Sequence, residues 1–155
     1  MKPITSARQI NAPLSVVFRT VADIRNFSRA VPHIVKVEFL TEQQSGVGTR
    51  FRETRLMGNK EQQTELEVTE FADNDRIRLV SDAGGTIWDT VFSVKSADNG
   101  VLLEMNMDIR PYRRMAKLLI PLFRGPIVKG VNHDMDCVRQ YCEHDESENA
   151  HDGND

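Results

Sequence analysis

The chain has 155 residues, the length of one domain, and at 39% hydrophobic it can build one core. No apolar run reaches the roughly 18 residues that a membrane-spanning helix needs, which excludes a helical membrane protein. The formal charge of −3 is unevenly spread: Glu143 to Asp155 holds six acids and no Lys or Arg, leaving 17 acids against 20 bases in residues 1–142.

The segment EHDESENAHDGND has no large aliphatic or aromatic side chain with which to offset its ordering entropy. It reads as a disordered acidic tail over 144–155, following one folded domain over 1–143. The start, MKPITSARQI, carries charge and lacks the apolar core of a signal peptide, so a cytoplasmic location is expected. Cys137 and Cys142 lie five apart on a predicted helix, about 140° from each other, and are expected to stay reduced.

Ile4 to Ile10 reads as a first strand. Pro13 then suits the first turn of a helix. Leu14, Val17, Phe18 and Val21 follow at helical spacing. A second short helix, Asp23 to Pro32, places Ile24, Phe27 and Val31 on its inner side and stops at Pro32. After Pro32 the period becomes two, predicting strands at His33–Gln43, Thr49–Met57, Lys60–Phe71, Arg76–Ala83, Thr86–Ser96 and Val101–Tyr112. The breaks between them carry Gly, Asn and Asp and are too short for parallel crossovers, so successive hairpins are expected.

A last helix is expected from Arg113 to about Glu143. Met115, Leu118, Leu119 and Leu122 form one apolar face. Ile127, Val131, Val138 and Cys142 form another, rotated by about 100° or more, so a kink or break is expected at Arg124-Gly125-Pro126. The fold class that follows is α+β: a curved seven-stranded antiparallel sheet, its first strand at an edge, wrapped around the long C-terminal helix.

Strand alternation puts Thr49, Phe51, Glu53, Arg55 and Met57 on one inner face, with Gln62, Thr64, Leu66 and Val68, then Ile77, Leu79 and Ser81, on the next strands. Trp88, Thr90, Phe92 and Val94 share another face, and Val101, Leu103, Met105, Met107 and Ile109 the next. Most of these read as plain core. Glu53 and Arg55, about 7 Å apart along the strand, read either as a charge pair that orients a ligand or as two side chains that a twist or bulge carries to water. Met105 and Met107 read as flexible cavity lining or as ordinary core.

INAPLSVVFRTVADIRNFSRAVPHI, then GVGTRFRETR, ELEVTEF and a terminal helix ending DMDCVRQYCE resemble the START-related superfamily over residues 4–143. Within it the chain resembles the polyketide cyclase/dehydrase and lipid-transport group. That resemblance implies a helix-grip fold with a deep hydrophobic cavity. It implies no particular reaction.

His33 reads as a residue near the cavity mouth. His133 and Cys137, at i and i+4, could form a thiolate pair or two metal ligands, but two ligands make no metal site and none is expected. There is no phosphate loop, nucleophile elbow or dinucleotide fingerprint, so no cofactor is expected. Arg110, Arg113, Arg114, Lys117, Arg124 and Lys129, interleaved with Leu118, Leu119, Ile120, Leu122 and Phe123, read either as a gate in transient contact with an anionic membrane or as a solvated helix face. Aromatics are few, which makes nucleic acid a poor partner.

The leading expectation is a protein that binds or carries a small hydrophobic ligand (a lipid, isoprenoid or polyketide-like molecule). Its wall would be Phe51, Trp88, Phe92, Met105, Met107, Leu118, Leu119 and Leu122, with Glu53 and Arg55 at a polar end. One alternative is a cyclase/aromatase- or dehydratase-like enzyme with Glu53 as acid or base. The other is a protein-interaction module with a vestigial cavity.

Overall fold

The computed structural model describes the backbone of residues 1–152 and side chains through residue 144. The element order is β1 Ile4–Ile10, α1 Leu14–Ala22, α2 Ile24–Ala30, β2 Ile34–Phe39, β3 Arg50–Met57, β4 Lys60–Ala72, β5 Arg76–Ala83, β6 Thr86–Ala97, β7 Gly100–Pro111, α3 Arg114–Leu122 and α4 Arg124–Asp152. The seven strands form one antiparallel sheet in the order β1-β7-β6-β5-β4-β3-β2. From β2 to β7 each strand pairs with its successor through a hairpin. β1, made before the helices, joins the free edge of β7. This is the helix-grip architecture. Among the described residues no helix is long and apolar enough to cross a membrane.

Register irregularities between Ile34 and Lys36 and between Val68 and Glu70 let the sheet bend. The helices cover its concave face. On α1, Val17, Phe18 and Val21 are buried, and Asp23 caps α2 by accepting from the Arg25 N–H at 2.9 Å. Four ties lay α4 beside β1 in the same direction. The Arg124 guanidinium donates to Lys2 O, Ser6 Oγ to Asn132 Oδ1, Arg8 Nε to Asp136 Oδ1, and the Asn11 N–H to Glu143 Oε2. The inward stripe of α4 is Val131, Met135, Val138 and Cys142, all buried.

The expected helix break is present, but at Phe123, just before the Arg-Gly-Pro segment. A proline at position 126 removes the N–H that would bond Leu122 O, and its ring crowds that carbonyl, so the disruption falls four residues upstream. Pro126 itself then sits in the first turn of α4, where no N–H is required. The tail expected over 144–155 falls almost entirely outside the residues whose side chains are described, and α4 as described continues to Asp152.

Ile10, Val17, Phe18, Val101, Leu103, Val138 and Cys142 are essentially inaccessible and fill one part of the concavity. Phe18 meets Phe71 edge-on at 5.5 Å. The turn into β7 is tight. Gly100 has φ +128°, and a Cβ there would collide with the Ile10 carbonyl oxygen of the paired edge strand. Gly100→Ala should therefore cost about 3 kcal/mol and lower the melting temperature by about 6–12 °C in a thermal unfolding scan.

Candidate functional site: a cavity with one ionic cluster

The remainder of the concavity is open. A cavity of about 770 Å³ lies between the inner faces of β3–β7, the α1–α2 turn and the first half of α4. The inner faces predicted by alternation are the ones that line it. Thr49, just before β3, and Phe51, Glu53, Arg55 and Met57 on it all contribute, as do Gln62, Thr64, Leu66 and Val68 from β4. Trp88, Phe92, Met105 and Met107 form much of the opposite wall. Trp88 Nε1 donates to Ala83 O at 3.2 Å, which holds its indole against the β5–β6 hairpin. Phe92 packs on Phe27 of α2 with ring centres 5.9 Å apart.

Glu53 and Arg55 do face inward and do pair: Arg55 Nε donates to Glu53 Oε1 at 2.9 Å. Reading the sequence missed their third partner. Arg55 also donates, through a terminal nitrogen, to Asp134 Oδ2 of α4 at 2.8 Å. Asp134 lies one turn before Val138 and three residues after Val131, so it sits on the inward stripe, and an acid interrupting that stripe was the available signal. Burial by itself would pull the Arg55 guanidinium down. The Glu53 and Asp134 carboxylates outweigh it and hold the group above its ordinary value.

The placement of Leu118, Leu119 and Leu122 is corrected: none lines the cavity. Leu118 and Leu122 are 64% and 72% exposed, and Leu119 is also exposed. On α3 the stripe Ala116, Ile120, Phe123 turns inward instead, and Ile120 and Phe123 reach the cavity with Pro126, Ile127, Gly130, Val131 and Met135 of α4. Both stripes of this short helix are apolar, so periodicity could not say which one the break would turn inward.

His33 and His133 meet outside the cavity, Nε2 to Nε2 at 3.1 Å, and Cys137 Sγ lies 3.6 Å from His133 Nε2. Burial and then the neighbouring Asp134 and Asp136 push the Cys137 thiol up, so the pair holds no ready thiolate. Neither cysteine forms a disulfide among the described residues. Among the described residues no group of three His, Cys, Asp or Glu side chains is arranged to hold a metal ion.

The helix-grip sheet agrees with what comparison with known proteins finds. Residues 1–138 match the family described as polyketide cyclase / dehydrase and lipid transport. The chain belongs to that family. No curated protein sequence gives a significant match. Among solved structures, the chain is similar to TTHA0849 from Thermus thermophilus, with a TM-score of 0.72 at 18% identity, over 89% of this chain and 94% of that one. It is similar to the di-domain ARO/CYC StfQ from the steffimycin biosynthetic pathway, with a TM-score of 0.76 at 8% identity, over 94% of this chain and 51% of that one. It is also similar to CV1439 from Chromobacterium violaceum, with a TM-score of 0.70 at 16% identity, over 92% and 99% of the two chains. At these identities the likeness is one of fold. This member of the family spans about half of the StfQ chain.

The ionic cluster is a demanding part of the wall, because removing the shared cation strands two partly buried carboxylates. Arg55→Leu should lower unfolding stability by about 3 kcal/mol in urea titrations at pH 7. The same change in a Glu53→Gln/Asp134→Asn background should cost less than half of that, because no unpaired charge is left behind.

Proposed function

We propose that this protein binds and carries a small, largely apolar molecule in the cavity. The observation that carries this reading is about 770 Å³ of open space, walled mainly by Phe51, Trp88, Phe92, Met105 and Met107 and bearing one ionic cluster. A largely apolar concavity of this size with a small number of polar groups is what ligand pockets generally offer. The space beside Trp88 is open, which speaks against a vestigial cavity. Glu53 as an acid or base is a second reading, favoured by a carboxylate set in the cavity wall. Its engagement by Arg55 makes it a positioned polar group before it is a base. Native mass spectrometry of protein purified from its own host should show a stoichiometric apolar adduct that denaturing extraction releases. A clean apo mass would overturn tight carriage and shift weight to turnover by Glu53.

The route into the cavity belongs to the same proposal. Phe123 and Met57 line the cavity and are more than half exposed, so they stand at its mouth. Beside Phe123, α3 presents Met115, Leu118, Leu119 and Leu122 outward. From residue 110 to residue 133 the chain carries six Lys or Arg and no acid. Among the described residues Arg113, Arg114, Lys117, Arg124 and Lys129 form no ion pair, whereas most arginines of the sheet do. Exposed aliphatics flanked by unneutralised cations suit the interface of an anionic bilayer, where each cation adds about 1 kcal/mol. The protein should sediment with vesicles containing phosphatidylglycerol and much less with phosphatidylcholine alone. Leu118→Glu/Leu122→Glu, at exposed positions, should lower that partitioning at least about tenfold without changing the melting temperature.

A further inference from the structure

The following rests on the carriage reading and specifies the chemistry of the ligand. Among the residues lining the cavity three are ionisable: Glu53, Arg55 and Asp134. Two carboxylates and one guanidinium leave a formal excess of one negative charge. The guanidinium is already engaged by both carboxylates, Nε with Glu53 Oε1 and a terminal nitrogen with Asp134 Oδ2. An incoming carboxylate or phosphate would have to displace one of them and would face the other at close range, where shielding from water strengthens repulsion. The second oxygens, Glu53 Oε2 and Asp134 Oδ1, accept no hydrogen bond from the described residues. At this station the wall lacks donors, not acceptors.

The ionic cluster spans β3 and α4, and its carboxylates can only accept.

We infer that the cavity selects an apolar molecule whose polar groups are hydrogen-bond donors, hydroxyl or amine, and discriminates against carboxylates and phosphates on the same skeleton. The Glu53 and Asp134 oxygens receive a donor at one end.

Trp88 is the only tryptophan and lines the cavity, so its energy transfer to pyrene reports occupancy. Four probes of one skeleton separate the terms: 1-butylpyrene, 1-pyrenebutanol, 1-pyrenebutylamine and 1-pyrenebutanoate, each titrated at pH 7.5. The alcohol, the ammonium or both should bind at least about tenfold more tightly than the carboxylate, and their order assigns a neutral or a cationic donor. In Arg55→Leu/Glu53→Gln/Asp134→Asn, which leaves no unpaired charge in the wall, that preference should shrink below about threefold while 1-butylpyrene still binds. A carboxylate that binds the unaltered protein as tightly as the alcohol and the ammonium, or a preference that survives the triple variant, would overturn the inference and leave carriage standing. Failure of all four probes to bind would overturn both.

Discussion

A proline that cannot join the helix before it decides where this molecule is open. Pro126 has no N–H for Leu122 O, and its ring occupies the space of the next turn; the helix begun at Arg114, which already accommodates Pro121, ends at Leu122. The chain stops at Phe123 and starts again. The second piece, α4, lies along β1 and closes the concavity with Val131, Met135, Val138 and Cys142. The first piece, α3, is displaced to the rim, where it touches β7 and the start of α4. On a straight helix over the same span the two apolar stripes would already point about 100° or more apart; in the broken one the stripe of α4 is buried and that of α3 is exposed. Cavity mouth and exposed aliphatic surface are consequences of the same backbone constraint.

The second constraint is electrostatic. Arg55 is a cation in a wall that is mostly apolar, and it is tolerable because two carboxylates from different elements meet it there. Glu53 is local, two residues away on β3. Asp134 is 79 residues away and arrives on α4. The cluster ties the sheet to the helix that it grips, in addition to serving the cavity. Judged alone it is a poor stabiliser, since hydrophobic residues of similar size would hold the interface as well.

How much of this was legible in the sequence differs by element. Strand faces were legible because a side chain on a strand has two choices and one clear apolar residue per strand settles them: Phe51 carried Glu53 and Arg55 with it, and both line the cavity. The helix break was legible from Pro126, with its position offset by the reach of one hydrogen bond. The orientation of α3 was not. Met115, Leu118, Leu119, Leu122 and Ala116, Ile120, Phe123 are both apolar stripes at helical spacing, and hydrophobicity ranks the longer one as buried. Of the short one, Ala116 is buried and Ile120 half-buried where α3 meets β7 and α4, and Phe123 beyond its end is exposed. Asp134 was overlooked because a single acid inside an apolar stripe reads as an exception until its partner is known.

By itself the sequence determined the period changes, the hairpin order, the edge position of the first strand and the alternation that makes one face of the sheet apolar. These depend on contacts between near neighbours and on backbone chemistry at Gly and Pro. Only the tertiary structure decided that the apolar face is incompletely filled, that Arg55 answers to two acids, and that four leucine and methionine side chains of α3 face outward. Those outcomes depend on how far one rigid element lies from another, and no local pattern records a distance between elements far apart in the chain.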